Sequence, residues 1–388
     1  MSGTHLNRRD FLKGLLRGGA GLGLAVLGLR GLPGCGGPAG TAAVARWTPT
    51  APPPSHELRF YRQLAEAAVH CRICFRNCVI QPGKLGDCYN VKNVEGRAYS
   101  LVHSLPCVLQ ADPIEKEPVF HMLPGTTTYC VGTASCNLRC KNCQNWEFTQ
   151  RTLWEVQNLA ASPTEVVRMA REAGCQAVSC TYNDPIAFYD YTLDIMEEAR
   201  QAGLRTLCHT NGSLNEEPLE TLLSLLDAIV VDLKGFSEAF YERVCEGRLT
   251  PVLRALERIG QAGTHLEIVH LVIPTWNDDP ADTRAMCRWI VENLGPDVPL
   301  HFLRFFPTYR FQRLQATPME TLEQAVEIAQ EAGIRYVYIG NVPGHARNST
   351  YCPSCGRLIV ERLHFAVNTV EVMEGKCRFC GQAIPGIW

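Results

Sequence analysis

Cys136-Asn-Leu-Arg-Cys140-Lys-Asn-Cys143 places three thiols within eight residues. Thiolates at this spacing can wrap one corner of an iron–sulfur cubane, one sulfur to each of three irons. A simple iron–sulfur carrier supplies four cysteines, so that every iron is filled. No fourth cysteine follows Cys143 at ferredoxin spacing. Three protein ligands with one position open mark a catalytic rather than a structural metal centre. The expected cofactor is a [4Fe–4S] cluster on Cys136, Cys140 and Cys143.

Two further cysteine groups flank this one. Cys352-Pro-Ser-Cys355-Gly and Cys377-Arg-Phe-Cys380-Gly form two knuckles around a β-rich stretch, the pattern of a rubredoxin or zinc-ribbon module. Four thiolates there suit zinc or a single iron. A structural zinc is the plainer reading; an iron electron relay or, in an exported protein, two disulfides are the alternatives. Cys71-x2-Cys74-x3-Cys78-x9-Cys88 is a second four-thiol constellation, fit for zinc or an auxiliary iron–sulfur cluster. These groups take eleven of the chain's 19 cysteines. The other eight are mostly in apolar surroundings and read as small buried hydrophobes.

The elements that must position the central cysteines alternate in type. Strand-like runs at 128–133, 177–181, 205–209, 228–233, 266–273, 300–305 and 336–339 are separated by amphipathic stretches at 163–173, 186–202, 217–225, 251–262, 280–293 and 319–331. Ser162-Pro163 starts a helix, and Gly174, Gly203, Gly263 and Gly333 follow helical runs as C-caps. Right-handed β/α repeats of this kind predict an α/β fold, a partial (β/α)6 barrel, with its chemistry at the carboxyl ends of the strands. Polar residues fall at four successive strand ends: Cys136, then Asn183-Asp184, then Asn211, then Asp232-Leu-Lys234. An electron carrier has no use for such a set, and a zinc-stapled structural protein has none either.

At these residues the chain resembles the radical S-adenosylmethionine (SAM) superfamily. Ala111-Asp-Pro-Ile-Glu-Lys-Glu-Pro118, His121-Met-Leu-Pro-Gly125, Asn142-Cys-Gln-Asn-Trp146, Thr181-Tyr-Asn-Asp-Pro185, Val231-Asp-Leu-Lys-Gly235 and Ile339-Gly-Asn-Val342 resemble the AmmeMemoRadiSam-system enzymes, relatives of pyruvate formate-lyase activating enzymes. The resemblance runs from about Cys71 to Trp388. It implies reductive cleavage of S-adenosylmethionine to a 5′-deoxyadenosyl radical, an external electron donor, and hydrogen abstraction from a substrate that includes a partner protein among the options. It also implies cofactor contacts at Asn183, Asp184, Asn211, Asp232, Lys234 and His270. The family's second-strand motif usually ends in Glu-Pro; Asp184-Pro185 keeps the charge on a shorter side chain. An iron–sulfur electron-transfer protein without SAM chemistry is the rival reading.

The rest of the chain bounds these readings. A length of 388 residues buries a sizeable core, and 46% hydrophobic with 20% charged residues is ordinary for a globular protein. Basic and acidic residues number 37 and 39, a formal net charge of −2, which gives nucleic acid no electrostatic footprint. Arg8-Arg9-Asp10-Phe11-Leu12-Lys13 followed by an apolar, glycine-rich run reads as a twin-arginine export signal that engages the membrane export machinery. The protein is then expected outside the cytoplasm, membrane-anchored if Cys35 is lipidated, or at work in the cytoplasm before export. The expected organisation is a signal segment at 1–37, a proline-rich linker at 38–58, a cysteine-rich module at 59–124, the barrel at 125–343 and the ribbon at 344–388.

Overall fold

The computed structural model describes residues 45–48, 53 and 56–388. The twin-arginine segment and most of the linker lie outside the described residues. The described residues form one compact unit.

Its centre is an eight-stranded sheet: β1 (Pro106–Pro113), β2 (Thr127–Thr133), β3 (Ala177–Cys180), β4 (Arg205–Thr210), β5 (Ala228–Asp232), β6 (His265–Val272), β7 (Leu300–Arg304) and β8 (Val337–Gly340). The strands stand in chain order. β2 to β8 are parallel, and β1 runs antiparallel to β2. β1 and β8 are edges with no ladder between them, so the sheet stays open. Six helices join the parallel strands: α1 (Pro163–Glu172), α2 (Tyr189–Gln201), α3 (Glu216–Leu223), α4 (Leu249–Ala262), α5 (Pro280–Leu294) and α6 (Met319–Glu331). β1 departs from expectation. It was read as part of the cysteine-rich segment, yet it extends the main sheet. Prolines at both of its ends suit only an edge strand, where a missing donor costs nothing.

Local signals set the helix bounds. The Ser162 hydroxyl accepts from the Glu165 N–H at 3.3 Å while Glu165 accepts the Ser162 N–H at 2.7 Å, a reciprocal cap with Pro163 at the first turn. α4 ends on Gly263 at φ +77°, a conformation that costs glycine no Cβ clash.

Strand alternation then divides the core. Val178, Ile229, Val231 and Ile268 join the main cluster with the helices. Ala177, Leu207, Ala228, Val230 and Val269 face the other way, onto Ile114, Val119 and Met122. The segment 114–123 therefore covers the second face of the sheet. Its floor is polar and closed: Glu267 accepts from the Phe120 and His121 N–H groups at 2.8 and 2.7 Å and pairs with His265 and His301. Those partners hold its carboxyl well below the usual range even though burial pushes the other way.

The same segment anchors the C-terminal ribbon, a three-stranded sheet of Thr350–Tyr351, Leu358–Leu363 and Ala366–Val370. Buried Arg362 donates to the Phe120 carbonyl at 2.6 Å and to the Thr350 hydroxyl at 2.8 Å, lies over the Phe120 ring, and faces buried Glu115 at 3.5 Å. Removing one charge of such a pair strands the other. Arg362→Met should destabilise the fold by about 3–5 kcal/mol. Arg362→Met with Glu115→Gln should recover most of that loss in chemical denaturation, since no bare charge remains.

Candidate iron–sulfur and cofactor site

β2 ends at Thr133, and the chain passes through an irregular loop, 134–145, into the short helix Trp146–Thr149. All three central cysteines lie on this loop, which has no ladder of its own. Its neighbours supply the missing partners. The Ser135 N–H donates to the Phe148 carbonyl at 2.9 Å, and the Arg139 and Lys141 N–H groups donate to the Cys245 and Val244 carbonyls at 2.9 Å each. Those carbonyls belong to a π-helical turn, Tyr241–Cys245. Gly247 follows; a Cβ there would come within 2.8 Å of Leu138 Cδ2, so a larger residue would require the Leu138 side chain to shift. Ser135 and Tyr182 both sit at positive φ, +66° and +70°, backbone strain at two adjoining strand ends.

Two asparagines expected as cofactor contacts line the cavity and also hold this loop. Asn183 accepts the Thr133 N–H at 3.0 Å and donates to the Ser135 carbonyl at 2.8 Å. Asn211 donates to Asn137 Oδ1 at 2.8 Å and accepts from Ser213. Asp184 accepts from Ile186 N–H and Thr210 Oγ1, both at 3.0 Å, and from the Asn211 N–H. Burial pushes its carboxyl up to about 6, against those donors. Each of the three lines the cavity while its polar atoms serve the frame.

That cavity, of about 370 Å³, opens at the carboxyl ends of the strands. Cys136, Cys140 and Cys143 line one side; Asp232, Lys234 and His209 line it too. Lys234 Nζ donates to Asp232 Oδ2 at 2.7 Å, and His209 Nε2 meets Oδ1 at 3.1 Å. Burial opposes charge at all three, yet Asp232 is held below the usual carboxylate range by Lys234 and His209, and both bases are raised by Asp232. His209 and Glu117, 3.9 Å apart, were missed as site residues. The strand-end pattern could have found His209, and Glu117 sits inside the quoted 111–118 motif. His270 does not belong to the lining. Its neighbours Val269 and Leu271 point into the cavity, so strand alternation turns His270 outward, where Nδ1 bonds to the Leu233 carbonyl at 2.8 Å and the ring packs on Phe302.

The loop fits a cluster rather than one ion. Burial drives the Cys136 thiol up to about 12 and Cys143 to about 11; Cys140 is raised further by the Cys245 thiol and then by burial. Buried thiols of this kind deprotonate when a metal takes the proton's place. Asn142 Oδ1, on the same loop, is buried without a partner. Among the described residues, three or more ligand atoms gather within 4.8 Å only at the C-terminal quartet and at His56, His103 and Asp194. The three central sulfurs do not all lie within 4.8 Å of one another, unlike ligands converged on one ion. The His56 and His103 rings stack face to face at 4.0 Å, which turns ring faces rather than lone pairs towards each other.

The C-terminal quartet is the opposite case. Cys352 and Cys380 sulfurs lie 3.6 Å apart, Cys355 and Cys377 3.8 Å, too far for a disulfide. A tetrahedron of ligands at roughly 2.3 Å from one ion has edges of about 3.8 Å. Gly356 at φ +69° and Gly381 at φ +77° close the two knuckles. The first N-terminal sulfurs, of Cys71 and Cys74, and those of Cys78 and Cys88 line a separate cavity that Asn137 also borders.

A parallel β/α sheet with a three-thiol loop and a polar wall at the strand ends is the arrangement of a radical SAM protein, and the chain belongs to the radical SAM superfamily, whose family model matches residues 131–287. It is 38% identical over 330 residues to "Uncharacterized protein MJ0808" of Methanocaldococcus jannaschii, covering 84% of this chain and 98% of that one. The benzylsuccinate synthase activating enzyme of Thauera aromatica is 24% identical over 183 residues, 44% of this chain and 55% of its own. The pyruvate formate-lyase-activating enzyme of Listeria monocytogenes is 23% identical over 174 residues, 42% and 68%.

The His209–Asp232 contact has a pH signature. A histidine raised above its ordinary 6.5 gives stability that is complete below that pH and is lost as pH climbs through the folded value. In Asp232→Asn the His209 midpoint, followed by NMR, should fall below its wild-type position, because burial would then be opposed by Glu117 without the stronger Asp232 contact.

Proposed function

We propose that the chain cleaves S-adenosylmethionine reductively at a [4Fe–4S] cluster held by Cys136, Cys140 and Cys143. When bound, that cluster supplies an open iron for the cofactor's amino and carboxylate groups and the electron that releases a 5′-deoxyadenosyl radical. The observation that carries the reading is the set of three wide-spaced thiols in one cavity with the Lys234–Asp232–His209 row. In this reading Lys234 and Asp232 orient the cofactor, Asn183, Asn211 and Asp184 keep the cysteine loop in register, and the open sheet curves as a partial barrel around them. The substrate is a protein by analogy, since two relatives are named as activating enzymes of other enzymes; the motifs from 111 to 342 favour the AmmeMemoRadiSam group among such relatives.

Anaerobic reconstitution, reduction and addition of S-adenosylmethionine should give 5′-deoxyadenosine. Cys140→Ala should lower the yield at least about a hundredfold, because a cubane corner loses its only protein ligand. A reduced wild-type cluster that forms no 5′-deoxyadenosine would leave electron transfer as the better function.

A further inference from the structure

Cys71, Cys74, Cys78 and Cys88 take no part in the site just described, yet they are built as carefully. Cys71 ends the strand Val69–Cys71, Cys78 immediately precedes the strand Val79–Ile80, and all four line one cavity. Ile73, Ile80, Val91 and Ile186 give it an apolar shell. Backbone N–H groups of Ile73, Arg76, Asp87 and Asn90 are directed at the four sulfurs in turn. Their spacing separates two kinds of metal site. The C-terminal quartet closes to 3.6 and 3.8 Å, while no three of the N-terminal sulfurs come within 4.8 Å of one another. In this they match the central trio and not the single-ion site.

Position adds the second half. Asn137 borders the N-terminal cavity and is the neighbour of Cys136, whose sulfur lies 3.7 Å from its Oδ1. Arg76, two residues past Cys74, donates to the Asn137 carbonyl at 2.6 Å. One residue thus stands between the two thiol sets.

We propose that Cys71, Cys74, Cys78 and Cys88 hold a second [4Fe–4S] cluster, closed by four thiolates, placed to exchange single electrons with the Cys136–Cys143 site across Asn137. With all four irons filled it binds no S-adenosylmethionine. The exchange oxidises one cluster as it reduces the other, moving no atom or proton; an external one-electron protein reductant supplies the electron.

The test removes the central site. A Cys136→Ala/Cys140→Ala/Cys143→Ala variant, purified anaerobically and reconstituted, should keep about four acid-labile sulfides per chain, half the wild-type load, and about four irons beyond any single ion at the C-terminal quartet. Iron without sulfide, or zinc alone, would overturn the proposal, because neither makes a cluster. Should that variant not fold, Gly86→Leu tests the same point with every cysteine kept. A Cβ at Gly86 meets Ile80 Cδ1 at 3.1 Å and Cys78 Sγ at 3.8 Å, so the larger side chain fills the cavity and should halve the iron and sulfide. Full loading of Gly86→Leu would count against the site. In fully reduced wild-type protein the two clusters should broaden each other's electron paramagnetic resonance signals, and Gly86→Leu should leave one unbroadened signal. A simple sum of two independent signals would overturn the exchange. None of these readouts depends on S-adenosylmethionine cleavage, so a failure of the catalytic reading would leave them standing.

Discussion

A twelve-residue stretch carrying three thiols has to be held still without a hydrogen-bond ladder of its own, and most of the molecule answers to that demand. The loop 134–145 borrows partners from four directions: Asn183 after β3, Asn211 after β4, the π-helical turn after β5, and Arg76 from the cysteine-rich segment. Each neighbour is fixed by a separate strand or sheet, so the loop inherits the rigidity of the parallel sheet beneath it. Irregular backbone is ordered here by an over-determined frame, which is what tolerates positive φ at Ser135 and Tyr182.

The other face of the sheet shows a second economy. The sheet face away from the helices must also be covered, and here segment 114–123 does so with Ile114, Val119 and Met122. The upper end is left open and polar. Charge is then distributed by depth. Glu267 at the floor is neutralised by two histidines and two backbone donors, whereas Asp232 at the mouth keeps only Lys234 and His209 and remains partly exposed. A buried carboxylate with all its partners is structural; one at a cavity mouth retains lone pairs for a ligand.

Much of this was legible in the chain. The alternation of apolar runs and amphipathic stretches located β2 to β8 and all six helices, because parallel strands covered on both faces and capped helices carry strong local signals. β1 was not legible: it fell within the cysteine-rich module, and only its pairing with β2 makes it a strand. The cysteines were visible as spacing, but spacing says nothing of how far apart the sulfurs stand, so the metal at the N-terminal quartet stayed open between zinc and an iron–sulfur cluster. The alternation of β6 puts His270 on the face away from the cavity, and the amides of Asn183 and Asn211, which line it, bond to the loop. Polar side chains at strand ends announce a site; which of them touch the ligand depends on partners far away in sequence.

The π-helical turn at Tyr241–Cys245 bears on how such a sequence can drift. A π turn is an α-helix with one residue too many, kept because the surplus frees carbonyls for other use. Losses of single residues are ordinarily absorbed by surface loops. Here, shortening the chain by one between Glu238 and Cys245 would restore a regular helix, withdraw the Val244 and Cys245 carbonyls, and loosen a loop a hundred residues upstream. The helix length around that turn is thus under a tighter constraint than any side chain in it, and lineages that alter it would have to rebuild the cysteine loop at the same time.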